Sequence, residues 1–162
     1  MTEDPLIRLL LSEGRLSEEA LAERLSMSPD EIRVRLTELE ASGCIVGYKA
    51  VINPENLAED LRVSAFIEVK LTPERGGGFD RAARRIARFE EVTSCYLSSG
   101  GFDLLVIVEG KDLRAVASFV SERLSTIGGV LSTGTHFRLK TYKENGFLFG
   151  GEEEDERLSI TP

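Results

Sequence analysis

The strongest constraint on the fold is a pair of apolar runs between Val92 and Gly110, separated by Ser98-Ser99-Gly100-Gly101. Glycine accepts a positive φ without steric cost, so this pattern predicts a tight β-hairpin. The second run, Leu104–Val108, is apolar on both faces. An edge strand would alternate apolar with polar residues, so we expect this strand in the middle of a sheet that is covered on both sides. One cover can come from the chain's own helices, and the other indicates a second subunit, hence an oligomer.

The composition is typical of a globular protein with one ordinary domain or two small ones, with 162 residues, 41% hydrophobic and 30% charged. No apolar run approaches the ~18 residues needed to cross a membrane, and the acidic start, Met1–Pro5, is unlike a signal peptide. We therefore expect a cytoplasmic protein. Cys44 and Cys95 form no CxxC pair, so we expect two small buried thiols and no disulfide, metal site or cofactor.

The first 43 residues predict three short helices, over about 4–11, over 18–25, and from Ser28 towards Gly43. Ser17 stands at an N-cap position. The third helix has the clearest start, because Ser28 and Glu31 are spaced as a capping box around a proline. A tight turn between the last two helices is typical of a helix-turn-helix, although plain three-helix packing gives the same pattern.

The remaining chain alternates between strand and helix patterns. Residues 44–52 predict a linking strand, and the alternation of Val63, Ala65, Ile67, Val69 and Leu71 predicts a strand over 61–71. A helix over 79–89 follows the glycine run 76–78, and Asp112 caps a second helix. Its expected core stripe is Leu113, Val116, Ala117, Val120 and Leu124, and a last strand covers 130–142.

The order β-α-β-β-α-β predicts an α+β chain whose larger domain is a ferredoxin-like antiparallel sheet with both helices on one face. We expect a helix-turn-helix domain with its linking strand over residues 1–54 and a sheet domain for effector binding and oligomerisation over 55–146. An acidic, mobile tail follows over 147–162, with five consecutive carboxylates at 152–156.

In this arrangement the chain resembles the Lrp/AsnC family of feast/famine transcription regulators, over about residues 5–143. The resemblance implies double-stranded DNA as a partner, dimers built by β-sheet contacts and often assembled into octamers, and an amino-acid effector bound near subunit interfaces. The matching residues are spread over both domains: Gly14-Arg15-Leu16-Ser17, Leu21-Ala22, Met27-Ser28, Arg35, Leu39-Glu40, Gly43, Ile45, Gly47-Tyr48, Asn53, Gly100, Asp103, Gly129-Val130 and Thr133.

The third helix supplies the expected DNA contacts, Ser28, Arg33, Arg35 and Thr37, with the last three facing the major groove. Its outward face is otherwise acidic or neutral, and residues 1–50 carry 6 Lys/Arg against 10 Asp/Glu. DNA affinity comes largely from neutralised phosphates, so we expect binding that is weak, highly salt-sensitive or dependent on many heads acting together.

The central hairpin supplies the expected effector site. The backbone N–H groups of Gly100 and Gly101, with a hydroxyl from Ser98 or Ser99, suit an amino-acid carboxylate, and Asp103 suits its ammonium. Thr133 or Thr135 of the last strand completes the site from the same or a neighbouring subunit. Alternatively, the glycines only make the turn and Asp103 caps it.

Two other classes of function remain open. One is an oligomeric amino-acid-binding module whose helix-turn-helix no longer reads DNA. The other is an enzyme similar to siroheme decarboxylases, but these bring histidines, and the lone His136 fits a structural or interface role better. No nucleophile-base pair or phosphate loop is recognisable, so no catalytic residue is expected. Arg81, Arg84, Arg85 and Arg88 share one helix face, which suits solvent better than phosphate.

Overall fold

The computed structural model describes residues 4–57, 62–73 and 78–150, and the acidic run at 152–156 therefore lies outside the described residues. The chain divides into two compact units between Ile52 and Asn53. Within the described ranges, no helix is long and apolar enough to cross a membrane.

The first unit is the predicted helix-turn-helix. Its helices are α1 (Pro5–Ser12), α2 (Glu18–Leu25) and α3 (Pro29–Ala41). The side chains of Asp4, Ser17 and Ser28 each accept hydrogen bonds from backbone N–H groups of the following first turn. Gly43 ends the third helix with φ at 73°, as predicted. The helices enclose a small core of Leu6, Leu21, Ala22, Ile32 and Leu39.

The predicted linking strand over 44–52 is wrong for this chain. No strand of the described part pairs with these residues, and Val46 is 95% exposed. Strand-favouring residues form a strand only when a partner satisfies their backbone groups, and the pattern contains no information about that partner. Cys44 is exposed rather than buried for the same reason, because it lies at the start of this unpacked segment.

The second unit is the predicted β-α-β-β-α-β fold. Its elements are β1 (Val63–Leu71), α4 (Asp80–Ile86), β2 (Val92–Leu97), β3 (Leu104–Gly110), α5 (Leu113–Ser118) with a π-helix (Phe119–Leu124), and β4 (Val130–Phe137). A 3-10 turn, Pro54–Asn56, precedes them. The antiparallel sheet has the order β2-β3-β1-β4, so the doubly apolar β3 lies inside the sheet, as expected.

The helices cover one face of the sheet, on which Ala65, Ile67 and Val69 are fully buried. Ile86 of α4 and Val116 of α5 belong to the same core. Alternation along the strands directs the neighbouring side chains to the other face, which we call the open face. It carries Phe66, Glu68, Tyr96, Leu105, Ile107 and His136, all exposed or only half-buried in a single chain.

The core stripe expected for the second helix is partly wrong. Val116, Val120 and Leu124 are buried, but Leu113 is 57% exposed and Ala117 is also exposed, while Phe119 is buried instead. The helix changes from α to π geometry at Phe119. The wider π turn shifts the buried face relative to a regular 3.6-residue period, so the stripe cannot be extrapolated through it.

The chain after β4 also differs from expectation. β4 ends at Phe137 rather than at 142, and Lys143–Glu144 (β5) pairs with Phe147–Leu148 (β6) in a small separate hairpin. Its turn, Asn145-Gly146, has positive φ at both residues, the arrangement favoured by Asn-Gly. Residue 147, where we expected the tail to begin, therefore lies in β6.

Candidate DNA-binding and effector sites

The start of α3 is fixed by Ser28, one of the expected DNA contacts. Its hydroxyl accepts a hydrogen bond from the backbone N–H of Glu31 at 3.3 Å and donates one to the Glu31 carboxylate at 2.8 Å. The backbone N–H of Ser28 donates to the same carboxylate at 2.7 Å, which lowers the pKa of Glu31. Ser28 is thus occupied in the predicted capping box, and its contribution to a DNA site is to set where α3 begins.

Arg33 is held by two carboxylates of its own chain. Its guanidinium lies 2.9 Å from Glu18 of α2 and 2.8 Å from Asp30, one turn earlier on α3. The hydrogen bond to Glu18 is the main cause of the raised pKa of Arg33. The side chain remains 58% exposed, so a phosphate can reach it, but it must compete with two carboxylates.

Arg35 has the same kind of environment. It donates to Glu38 on α3 and to Asp4 before α1, both at 3.1 Å, and these bonds, that to Glu38 first, raise the pKa of Arg35. Asp4 also caps α1 through the N–H of Leu6 at 2.9 Å. Burial raises the pKa of Asp4, but the bonds from Arg35 and the backbone outweigh it and leave that pKa lowered.

The remaining outward surface of α3 is apolar with an acidic rim. Thr37 donates its hydroxyl to the carbonyl of Arg33 at 2.8 Å, so its polar group is already bonded within the helix. Val34 is 59% exposed and lies in a shallow groove of about 330 Å³ between Met27 and Glu38. An exposed apolar side chain at this place can contact a thymine methyl group.

The four carboxylates that hold the arginines are the residues that our sequence analysis missed. Asp30 and Glu38 each lie three positions from their arginine, a spacing at which helix side chains meet, so the sequence contained that signal. Asp4 and Glu18 lie 31 and 15 residues away from theirs. Only the packing of α1 and α2 against α3 brings these two into contact.

The expected effector loop, Ser98–Asp103, connects β2 to β3. It is longer than the tight turn that we predicted, and the N–H of Ser98 donates to the carbonyl of Asp103 at 2.9 Å across its base. Gly100 has φ at 119°, and a side chain at Gly100 or Gly101 would meet no atom within 4 Å. The two glycine N–H groups therefore lie on an open loop that a ligand can approach.

Asp103 is built into the end of the sheet. Its carboxylate accepts a hydrogen bond from the N–H of Leu71 at 2.7 Å, and its own N–H donates to the carbonyl of Val69 at 2.9 Å. The side chain thus extends the β1–β3 ladder by one further bond at a buried backbone group. This is the capping role left open by the sequence, and it occupies one carboxylate oxygen.

The expected threonines lie on the other side of β1. Thr133 of β4 pairs with Val69, which pairs across β1 with Leu104, and Thr135 pairs with Ile67. The Thr133 hydroxyl lies 3.3 Å from that of Ser125. Loop and threonines therefore flank β1, roughly 10 Å apart at two strand spacings, within one chain.

His136 lies on the open face, with its Nε2 atom 3.5 Å from the Glu68 carboxylate. Among the residues that the structure describes, no group of three or more His, Cys, Asp or Glu is placed to hold a metal ion. His136 thus has an ion-pairing partner on the neighbouring strand, in agreement with a structural or interface role.

Comparisons with known proteins match both units. Residues 6–46 match a winged helix-turn-helix DNA-binding model, and residues 64–148 match the Lrp/AsnC ligand binding domain. A curated relative, the uncharacterized HTH-type transcriptional regulator YugG of Bacillus subtilis, is 39% identical over 99% of this chain and 96% of its own.

Two solved structures have the same fold and contain an amino acid. A transcriptional regulator of Neisseria meningitidis in complex with L-Met has a TM-score of 0.66 at 30% identity, covering 88% of this chain and 94% of that one. A feast or famine regulatory protein of M. tuberculosis complexed with L-methionine has a TM-score of 0.66 at 32% identity, covering 86% and 90%. The relatives are transcription regulators, in agreement with the absence of a catalytic site among our expectations. The chain belongs to the Lrp/AsnC family of DNA-binding transcription regulators.

Proposed function

We propose that this protein is a cytoplasmic, oligomeric transcription regulator whose binding to double-stranded DNA responds to an amino acid. The observation that carries the proposal is the joining of a helix-turn-helix to an Lrp/AsnC ligand-binding domain in one chain. Two similar regulators bound to L-methionine support an amino acid as the class of effector.

The open face supports the oligomer. Phe66, Leu105 and Ile107 leave apolar surface there that a single chain does not cover. Contiguous apolar surface of this kind is typical of protein interfaces, and a two-fold dimer covers it with the same face of a second copy. We propose a dimer as the minimum assembly, with octamers as a further state.

The effector contacts that we propose are the N–H groups of Gly100 and Gly101 with Ser98 or Ser99 for the carboxylate, and Asp103 for the ammonium. Asp103 has a second oxygen beyond the one that binds Leu71, which supports this role. Because Thr133 and Thr135 lie across β1 from the loop, we propose that a neighbouring subunit contributes the threonines.

The DNA contacts that we propose are Arg33, Arg35 and Thr37, positioned by the Ser28 cap. Each arginine leaves two intramolecular carboxylates when it binds phosphate, and those carboxylates repel the DNA. A single head therefore binds weakly, and an oligomer compensates by engaging several heads on one DNA molecule.

The alternative function is an amino-acid-binding module that no longer reads DNA. The acidic α3 favours it, since Pro29–Ala41 contains two arginines and four carboxylates, a net charge of −2. This helix is a poor phosphate partner by charge alone.

A gel-shift titration on the DNA upstream of the protein's own gene tests the proposal. We expect retardation by the wild type at low salt, and a changed affinity when a mixture of the twenty amino acids is added. The matched control is Arg33→Ala with Arg35→Ala, which removes both groove-facing cations. Absence of any shift by the wild type, together with amino-acid binding in calorimetry, would favour the alternative module.

A further inference from the structure

The arginines of α4 differ from those of α3 in their surroundings. Arg84, Arg85 and Arg88 are exposed, and none of them forms an ion pair with any residue that the structure describes. Arg33 and Arg35 have two carboxylates each. The guanidinium groups with the fewest intramolecular competitors among these helices are therefore in the ligand-binding unit.

The charge balance of the two helices shows the same contrast. Residues 79–89 contain four arginines and one aspartate, a net charge of +3, whereas α3 has a net charge of −2. Affinity for DNA rises with the number of phosphates that cations neutralise, because each contact releases condensed counterions. By this measure α4 is the better phosphate partner.

The arrangement of the arginines suits a row of phosphates. Arg81, Arg84, Arg85 and Arg88 follow i, i+3, i+4 and i+7 spacing, which places them on one side of α4. The row is about 10 Å long at 1.5 Å per residue. That length spans roughly three nucleotide steps of 3.4 Å along one DNA strand.

A concave surface adjoins this row. A cavity of about 230 Å³ opens beside α4, lined by Arg81, Ala82 and Arg85 on the helix and by Ile127 and Gly128 before β4. Gly128 has no side chain, and a Cβ added there would meet no atom within 4 Å. A phosphate group can therefore enter the cavity and meet the guanidinium of Arg85.

The other arginine close to this region is already used within the fold. Arg123 stacks over the ring of Phe89, with its guanidinium carbon 4.5 Å from the ring centroid, and forms an ion pair with Glu91. It holds the end of the α4 segment against the π-helix and is not part of the exposed row.

We propose that the exposed arginines of α4, Arg84, Arg85 and Arg88, form a second DNA-binding surface that contacts the phosphate backbone without reading bases. This inference rests on the proposed function, since it assumes that the oligomer binds DNA through its helix-turn-helix units. Charge complementarity selects the occupant, a duplex segment beyond the one in contact with α3. The surface raises the affinity for long DNA and adds to its salt dependence.

The test is fluorescence anisotropy with the full-length protein and a long duplex, at several salt concentrations. In the variant Arg84→Gln, Arg85→Gln, Arg88→Gln, glutamine keeps the helix propensity and removes three charges. We expect at least about a tenfold loss of affinity at 0.1 M salt and a salt slope smaller by up to about three units. Circular dichroism and light scattering should match the wild type.

Two matched variants separate the explanations. Lys111→Gln, Arg114→Gln, Lys143→Gln changes the net charge equally at exposed positions outside α4, and we expect it to bind within about threefold of wild type. Arg84→Lys, Arg85→Lys, Arg88→Lys keeps the charges, and it should also bind nearly as well as wild type.

Equal losses in the α4 glutamine variant and the charge-matched control would overturn the second surface, and so would an equal loss in the lysine variant. In either case DNA binding that still depends on Arg33 and Arg35 would leave the proposed function standing. A wild type that binds no duplex at low salt would refute the proposed function itself. Binding of the α4 row to an acidic protein segment instead of DNA would leave the α4 glutamine variant with unchanged DNA affinity, which also contradicts the inference.

Discussion

Replacement of Asp103 tests whether its carboxylate is a structural part of the sheet. The carboxylate accepts a 2.7 Å hydrogen bond from the N–H of Leu71, a residue that is only 4% exposed. In Asp103→Ala this N–H has no acceptor. A buried unsatisfied donor costs ~1–3 kcal/mol, and a bond to a charged acceptor is worth about the same. We therefore expect a loss of about 2 kcal/mol, or roughly 4–8 °C in Tm for a chain of this size.

The measurement is thermal and urea unfolding of the full chain at fixed protein concentration, because the stability of an oligomer depends on concentration. Asp103→Asn keeps an acceptor oxygen and should lose only about half as much stability. Ser99→Ala, at an exposed position of the same loop, is the control and should stay within about 0.5 kcal/mol of wild type. An unfolding midpoint for Asp103→Ala equal to that of Ser99→Ala would refute the structural role.

The same variants separate the two roles of Asp103. If the carboxylate also binds the effector's ammonium, Asp103→Asn remains folded but loses the charge that pairs with the ligand. We expect calorimetry with each amino acid to show at least about a tenfold weaker affinity for the asparagine variant. Equal affinity in a folded Asp103→Asn would leave Asp103 with its ladder role alone and would remove it from the effector site.

Other predictions concern the DNA-binding unit, the tail and the thiols. Arg33→Ala with Arg35→Ala should abolish DNA binding and lower the salt slope by about one unit per phosphate contact, with unchanged size in light scattering; a normal gel shift would indicate a different reading surface. Deletion of 151–162 should strengthen DNA binding at low salt, since its carboxylates repel phosphate, and the gain should vanish above roughly 0.3 M salt as screening shortens the Debye length. Exposed Cys44 should react with iodoacetamide much faster than Cys95, because burial raises the pKa of the Cys95 thiol and lowers its thiolate fraction; equal rates would show that β2 opens readily.

Local chemistry explains which parts of the fold were predictable from sequence. The Ser28–Glu31 capping box and the left-handed Gly43 depend on residues within one turn, and both are found where the spacing predicts them. The alternation in β1 also suffices, because a strand with one covered face must bury every second residue. Leu113 and Phe119 depart from expectation because a π turn depends on packing, which a 3.6-residue period does not encode.

The candidate sites show a similar limit. Arg33 and Arg35 could be selected by position on α3, but their pairing with Glu18 and Asp4 depends on contacts between helices that are distant in sequence. Asp103 could be recognised as a carboxylate at a hairpin, while its bond to the N–H of Leu71 depends on the register of β1 against β3. Sequence patterns identify the type of residue available, and the fold decides which of its groups are already bonded.

The strand order also determines when each part of the protein is completed during synthesis. β1 lies between β3 and β4, so the sheet is finished only after Phe137 has left the ribosome. The helix-turn-helix ends by Ile52 and contains only local contacts, so it can fold while the sheet still lacks strands. At ~5–20 residues per second the interval between the two is roughly 4–17 s. Each nascent chain thus has a finished DNA-binding head before it has the surface needed to join other subunits, and assembly follows translation of nearly the whole chain.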